Sequence, residues 1–476
     1  MTMNPKMTDS LRGLVDELIL ASILFKSDAY KHTHWRMYPK GAQYLYSYLE
    51  SRGGVFSETL FYGLQMILKK HFTGKVITQE AIDFGDRFLY KVFNNNYFNK
   101  DSWQYILDKY DGHLPIEIKA VKEGTLVPTG NVLVTMENTD PKCAWLTNFL
   151  ETILLQVWYP ITVATTSFKT KQLIKKWADL TSSEVSPYHL NDFGFRGVSS
   201  HESAGIGDSG HLVSFAGTDT LAGILYAMKY YGADVCGGSV AAAEHSTVTI
   251  FGKKYEREAY EQAMDEYPNG PLSLVSDSWD FENAINNIYG KQLKDKILAR
   301  AAGAPLVARP DSGDPVEMTL KGLQGFWENF GGTVKDGFRI LNPAVRIIYG
   351  DFIKYGMIDK IGEAMYKNNW AMENVIFGEG GGLLQQCDRD THKFAFKAAS
   401  AVVDGIKRDV YKDPITDSGK TSKKGRLKLI KYGSEFKTVC QTGYTEDDEL
   451  QTVFRNGELL IDHQFEDIQT TSNLYL

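Results

Sequence analysis

The chain is poor in cysteine. Four residues, Cys143, Cys236, Cys387 and Cys440, are spread through 476 with no CxxC pair and no ligand-like spacing. That argues against a disulfide framework and a structural zinc site, and fits four reduced thiols in a reducing compartment. Cationic excess is missing too: 52 Lys and Arg stand against 59 Asp and Glu, a formal net charge of -7. A nucleic-acid scaffold would carry a general basic field, and this chain has none. Long apolar runs are also lacking. Phe149 to Ala164 is interrupted by Glu151 and Pro160 and is too short to span a bilayer. Met1 to Arg12 is polar, and Asp16 and Glu17 break the apolar residues that follow, so no secretory leader is expected. The expectation is a soluble cytoplasmic protein acting on a small molecule, with neither membrane nor nucleic acid as partner.

What the chain does have is 43% hydrophobic content, enough for a large core in two domains or one elaborated barrel. It also has a rhythm. Between Asp192 and Gly382 apolar strand-like runs repeatedly end in an acid, a histidine or a glycine cluster, and a helical stretch follows. The markers Asp192, Asp219, His245, Asp277, Asp311, Asp351 and Gly378 lie 27, 26, 32, 34, 40 and 27 residues apart. Each interval accommodates one strand, one loop and one helix, which is the signature of repeated βα units. In βα barrels the catalytic residues sit where strands end at their carboxyl side, because the loops there converge on one mouth.

The periodicity predicts a short amphipathic helix over the first 20 or so residues and a strand over Tyr44–Glu50. Helices are expected over Phe61–His71 and Gln79–Asn94, and several short strands between Leu114 and Met136. Helices from Trp145 to Trp158 and from Val163 to Leu180 lead into the alternating region. Within that region helices are expected at Leu221–Tyr231, Lys254–Tyr267, Glu282–Arg300 and Pro315–Phe330. Strands at Phe394–Val403 and Leu427–Tyr432 would return to the first layer. The fold expected is α/β: an irregular βα barrel at 160–388, with a discontinuous α+β domain made from 1–159 and 389–476.

The run ends carry the chemistry. Phe377-Gly-Glu-Gly-Gly-Gly382 leaves backbone N–H groups uncovered, which suits a phosphate cradle or, equally, a tight turn needing positive φ. Gly350-Asp351 one unit earlier and Arg389 just after favour a sugar phosphate. Arg309-Pro-Asp-Ser-Gly-Asp314 is a capped turn, or else Asp311 joins Asp277 and Mg²⁺ in handling a polyphosphate. His245, behind Glu244 and amid acids, is either a satisfied polar side chain, a base, or a nucleophile for a phosphoryl group. Lys412, Lys420, Lys423, Lys424 and Arg426, with Lys397 before them, are a solvated hairpin face or a polyanion site. Phe193 and Tyr30 offer flat surfaces to an aromatic ring.

Several strings together carry a resemblance that covers about Ile23 to Phe454. They are Tyr110-Asp-Gly-His-Leu-Pro-Ile-Glu-Ile-Lys-Ala120, Trp158-Tyr-Pro-Ile-Thr-Val-Ala-Thr165, Asp192-Phe-Gly-Phe-Arg-Gly-Val-Ser-Ser200, Ala242-Ala-Glu-His-Ser246 and Ser422-Lys-Lys-Gly-Arg-Leu427. The chain resembles the nicotinamide phosphoribosyltransferases, dimeric enzymes with a type II phosphoribosyltransferase barrel. They join nicotinamide to phosphoribosyl pyrophosphate, release pyrophosphate, and couple the step to ATP hydrolysis through a phosphohistidine in NAD salvage. The resemblance implies a homodimer with shared sites, in which the base lies between Phe193 and Tyr30 of the partner subunit. Asp219 would accept from the carboxamide NH₂, with Arg309 and Ser273 near its oxygen. His245 would be the phosphorylated residue, surrounded by Glu244, Asp277 and Asp311, the last two also holding Mg²⁺. The ribose and its 5-phosphate would fall to Asp311, Gly350, Asp351, Gly380, Gly381 and Arg389. Pyrophosphate or ATP would meet Arg52, Arg196, Lys397, Lys412 and Lys420.

Three departures from the family pattern stand out: Asn191 in place of a histidine, Ala241 in place of a proline, and a short segment between Arg52 and Phe61. The alternatives are a nicotinate phosphoribosyltransferase on the same barrel and a nucleotide-binding protein without turnover. Asp219 opposes the first, because it would repel a substrate carboxylate. Retention of His245, Asp311 and the lysines opposes the second.

Overall fold

The computed structural model describes residues 11–300, 303–416, 421–433 and 435–476. The chain divides into two compact units, Met1–Thr162 with Arg389–Thr471 and Val163–Asp388 with Ser472–Leu476.

The first unit is built on an antiparallel sheet of seven strands. In spatial order they are Ile406–Asp409, Phe394–Val403, Ala42–Ser51, Val132–Asn138, Ile116–Ala120, Gln451–Arg455 and Glu458–Leu459. Alternate residues of Ile116–Ala120 are buried, as expected of a strand with one face on a core. That core gathers Tyr48, Phe72, Trp103 and Phe454. Several expectations need correction. Instead of one amphipathic helix, residues after 10 form a 3₁₀ turn, Leu11–Leu14, and a five-residue helix, Glu17–Ala21, capped by the Asp16 carboxylate on the Ile19 N–H; the residues before lie outside those described. The helix expected from Trp145 to Trp158 is two pieces, Ala144–Phe149 and Glu151–Leu155. The next helix starts earlier than expected, at Trp158, with Pro160 in its first turn, where the missing N–H would have had no intrahelical partner. Leu427–Tyr432 does not return to the sheet. It forms a separate hairpin with Glu435–Cys440, and Gln451–Arg455 takes the place beside Ile116–Ala120.

The second unit carries seven parallel strands: β1 (Leu190–Asp192), β2 (Gly217–Thr218), β3 (Ala241–Ala242), β4 (Leu272–Val275), β5 (Leu306–Arg309), β6 (Val345–Tyr349) and β7 (Val375–Glu379). Their spatial order is β2-β1-β7-β6-β5-β4-β3. A further parallel bridge from Gly217 to Gly238 draws the β2 edge toward the segment before β3, so the sheet curls into a half-barrel. Leu190, Leu274, Leu306, Ile347 and Val375 fill its core. Among the connecting helices are α1 (His201–His211), α2 (Leu221–Tyr231) and α3 (His245–Thr249). The helix expected over Glu282–Arg300 is instead a short α-turn, a π-helical stretch at Ala284–Gln292, and Lys294–Leu298. Among the described residues no helix is long and apolar enough to cross a membrane.

Register decides what stands at the mouth. Glu379 pairs with Asp192, and Asp192 with Thr218, so the last residues of β7, β1 and β2 form one row.

Candidate active site

Phe193 follows the last residue of β1, and its N–H donates to the Glu379 carbonyl at 2.8 Å. Its ring lies on glycine backbone: a Cβ on Gly378 would come within 2.0 Å of the ring, and one on Gly350 within 3.4 Å. Any side chain at Gly378 would therefore displace the ring. Beside this shelf, at the end of β2, is Asp219, exposed to solvent. Its N–H donates to the Asp192 carbonyl at 2.9 Å, and its carboxylate accepts from the Ser239 hydroxyl. One flat ring face beside one exposed carboxylate suits a planar, amide-bearing heterocycle.

His245 is the first residue of α3, rather than the end of a strand. Its Nε2 stands 3.3 Å from Asp277 Oδ1 and its Nδ1 3.8 Å from Asp311 Oδ2. The ring is about half exposed, so it is held between two acids and still reachable. The Ser312 hydroxyl donates to the other Asp277 oxygen at 2.5 Å. Glu244 turns instead to the Ser246 hydroxyl. Asp351 is held above the usual carboxylate range by burial and by the charges of Asp311 and Asp277. That mutual repulsion is the kind of donor set a divalent cation relieves. Among the described residues no three His, Cys, Asp or Glu side chains form a metal cluster. A pair of carboxylates is what Mg²⁺ takes when substrate oxygens and water complete its shell.

Arg309 ends β5 with its Nε buried, without a hydrogen-bond partner, and 3.9 Å from Asp311 Oδ1. Ser273 lies within β4 and is buried. Gly380 and Gly381 follow β7, and a Cβ on Gly197 would touch the Gly381 backbone at 3.2 Å; the exposed Arg196 sits in that same 3₁₀ turn, Phe195–Gly197. Phe193, Arg196, Asp219, Glu244, His245, Ser273, Asp277, Arg309, Asp311, Gly350, Asp351, Gly380 and Gly381 thus all belong to the second unit.

The remaining candidates among the described residues belong to the first unit. Tyr30 is more than half exposed in a 3₁₀ helix, Ala29–Arg36, edge-on to His34. Lys397 is held below the usual lysine range by burial; Glu151 opposes that shift, while Arg52, Arg389 and Lys412 reinforce it. Four of the predicted cations therefore share one neighbourhood. The basic stretch as a whole does not act as one patch. Lys423 pairs with Glu50, Arg426 makes a two-pronged bridge to Glu137 at 2.6 and 2.8 Å, and Lys424 stacks over Tyr411. Lys420 lies outside the described residues.

The Asn191 amide ties β1 to its surroundings, donating to the carbonyls of Tyr188 and Phe377 at 3.0 and 3.3 Å. Ala241 pairs with Leu272 on the sheet edge. Two buried acids do not stand out among the run ends. Glu379 ends β7 with Oε2 unpartnered; burial first, then the charge of Asp192, push its carboxyl up to about 8, with Lys354 opposing. Asp208 lies on α1 in line with buried Ala204 and His211, an acid at i+4 on an apolar helix face, and that spacing is the signal that would have found it.

Residues 188–458 match the nicotinate phosphoribosyltransferase (NAPRTase) family, and residues 22–118 match the nicotinamide phosphoribosyltransferase N-terminal domain. A nicotinamide phosphoribosyltransferase of Xanthomonas campestris pv. campestris is 43% identical over 94% of this chain and 98% of its own length. One from Acinetobacter baylyi is 33% identical over 93% of this chain and 95% of its own. A crystal structure of nicotinate-nucleotide pyrophosphorylase from Pyrococcus furiosus superposes with a TM-score of 0.61 at 14% identity, covering 97% of this chain and 96% of that one, and shares the fold.

The buried Glu379 makes a pH prediction. Its usual value is 4.5 and its folded value about 8. Between these the folded chain keeps a proton that the unfolded chain has lost. Stability therefore falls as pH rises through that window, and the full penalty stands above it. Glu379→Gln should remove this slope, so its Tm relative to wild type should climb from pH 5 to pH 8.5, by the equivalent of a few kcal/mol. A Tm difference that stays constant across those pH values would contradict the assignment.

Proposed function

The chain belongs to the nicotinamide phosphoribosyltransferase family, and from that premise we propose that it transfers phosphoribosyl from phosphoribosyl pyrophosphate to nicotinamide, giving nicotinamide mononucleotide and pyrophosphate for NAD salvage. The observation that carries this reading is the Phe193 ring on the glycine backbone of Gly350 and Gly378, next to the exposed Asp219 carboxylate. The ring stacks on the pyridine, and Asp219 accepts from the carboxamide NH₂. A nicotinate carboxylate would be repelled there.

The chemistry balances without an added reductant or base. The pyridine nitrogen gives its lone pair to the sugar C1′ as the C1′–O bond to pyrophosphate breaks, and that bond's electron pair leaves on the pyrophosphate oxygen. Arg309, whose Nε has no hydrogen-bond partner within the chain, supports the carboxamide oxygen with Ser273 beside it. Asp311 and Asp351 take the ribose hydroxyls, while the backbone around Gly350, Gly380 and Gly381 receives the 5-phosphate. The cations Arg52, Arg196, Arg389, Lys397, Lys412 and Lys420 meet pyrophosphate and ATP phosphates, which lowers the charge cost of the leaving group. Asp277 and Asp311 would hold Mg²⁺, which when bound neutralises phosphate charge.

ATP as a coupling substrate and a homodimer complete the proposed reaction. The His245 ring, held by Asp277 and Asp311, attacks the ATP γ-phosphorus, ADP leaves, and water later removes the phosphoryl group. Tyr30 of the partner subunit covers the open face of the nicotinamide.

Two substitutions test this reading. Asp219→Ser should lower kcat/KM for nicotinamide by about 10- to 100-fold, the loss of one hydrogen bond to a charged group, and should raise the rate with nicotinate. Equal losses with both bases would remove Asp219 from base selection. His245→Ala should abolish nicotinamide-dependent ATP turnover and acid-labile phosphorylation while leaving a residual ATP-independent transfer. Undiminished ATP hydrolysis in that variant would take the histidine out of the coupling step.

A further inference from the structure

Beneath Phe193 and Asp219 lies a pair of acids with no role in the chemistry above. Asp192 and Asp208 are both fully buried. Asp192 Oδ1 accepts from the Gly194 N–H at 2.9 Å, and its Oδ2 accepts from the Thr220 hydroxyl at 2.5 Å. Asp208 Oδ1 accepts from the Thr218 hydroxyl at 2.9 Å. The Thr218 oxygen in turn accepts from the Thr220 N–H at 2.8 Å. Asp208 Oδ2 has no donor directed at it and lies against the Gly223 backbone, where a Cβ would approach it to 2.0 Å; the Asp208 carboxyl also interacts with that of Asp192.

These bonds bracket both base-recognition residues. Phe193 stands between Asp192 and Gly194, and Asp219 between Thr218 and Thr220. The charged and titratable groups facing the pair are Asp219, Glu379 and the Cys236 thiol, none of them a cation. Two desolvated carboxylates in contact with no cation cannot both ionise without a large cost. Both are shifted above the usual carboxylate range, Asp208 the further: burial raises each, the Asp192 charge raises Asp208 again, and the contact with Asp208 holds Asp192 down. One proton shared between them turns an acceptor-only contact into a hydrogen bond.

We propose that Asp208 retains its proton and donates it to Asp192, and that this acid pair is the positioning element that holds Phe193 and Asp219 in the geometry needed for the base. The assignment rests on the functional reading above, which supplies the role of those two residues. Asp208 touches no substrate; it acts through Asp192, Thr218 and Thr220.

The test compares Asp208→Asn, whose amide can donate to Asp192 and accept from Thr218, with Asp208→Ala and Thr218→Val. The asparagine variant should keep the nicotinamide KM within about twofold, whereas Asp208→Ala should raise it by about tenfold with the phosphoribosyl pyrophosphate KM unchanged, the cost of a small misplacement of the ring and carboxylate. If the alanine chain does not fold, Thr218→Val carries the same expectation. Both KM values rising together, or a nicotinamide KM that stays put in both folded variants, overturns the assignment. A second readout does not depend on turnover. The infrared difference spectrum of wild type minus Asp208→Asn should contain a protonated-carboxyl C=O band, and its absence overturns the proton placement. A wild-type enzyme that makes no nicotinamide mononucleotide would instead count against the functional reading, with the infrared result still deciding where the proton lies.

Discussion

The desolvation of acidic side chains at the carboxyl end of a parallel sheet is the constraint on which the rest of the site depends. Register sets Glu379, Asp192 and Thr218 side by side, and the loops that follow those strands cover them. A buried carboxylate must find donors, share a proton or stay neutral. Asp192 takes two donors, from Gly194 and Thr220, while Glu379 stays protonated through neutral pH. The backbone around them is then fixed, and only glycine at 378 leaves room for the Phe193 ring that lies on top.

Charge is distributed by unit. In the second unit, Asp277 and Asp311 flank His245, and burial together with the charges of those two acids raises the proton affinity of Asp351, which prepares a place for cations and phosphate oxygens. In the first unit burial lowers the proton affinity of Lys397, and the nearby charges of Arg52, Arg389 and Lys412 lower it further against the opposing Glu151. Carboxylates offset part of this charge: Glu50 pairs with both Arg52 and Lys423, Asp390 with Arg389, and Glu137 with Arg426.

The parts of the fold legible in the sequence are those where one residue carries two signals. An apolar run that stops at glycine or an acid marks both a strand end and a mouth residue, and β5, β6 and β7 end within two residues of the positions so expected. The Pro315–Phe330 helix follows an Asp314 cap and a proline at its first position, and it forms with those bounds. Sheet membership is harder, because alternation says that Leu427–Tyr432 is extended without saying which strand it meets. The π-helical stretch at Ala284–Gln292 and the break near Leu150 depend on tertiary packing and leave no local trace. Within the site, Asp219 and His245 announce themselves at run ends. Asp208 and Glu379 do not: Asp208 sits within a small-residue helix, marked only by its i+4 spacing from Ala204, and Glu379 sits among glycines, where only its burial reveals it.

The central claim is that the Phe193 and Asp219 pocket selects an uncharged amide for phosphoribosyl transfer. It is tested most directly by supplying the purified chain with phosphoribosyl pyrophosphate and Mg²⁺, with either nicotinamide or nicotinate, with and without ATP, and measuring mononucleotide and pyrophosphate together. The account predicts equal amounts of nicotinamide mononucleotide and pyrophosphate, increased by ATP, and far slower product formation from nicotinate. Faster turnover of nicotinate, or no pyrophosphate from either base, would contradict it.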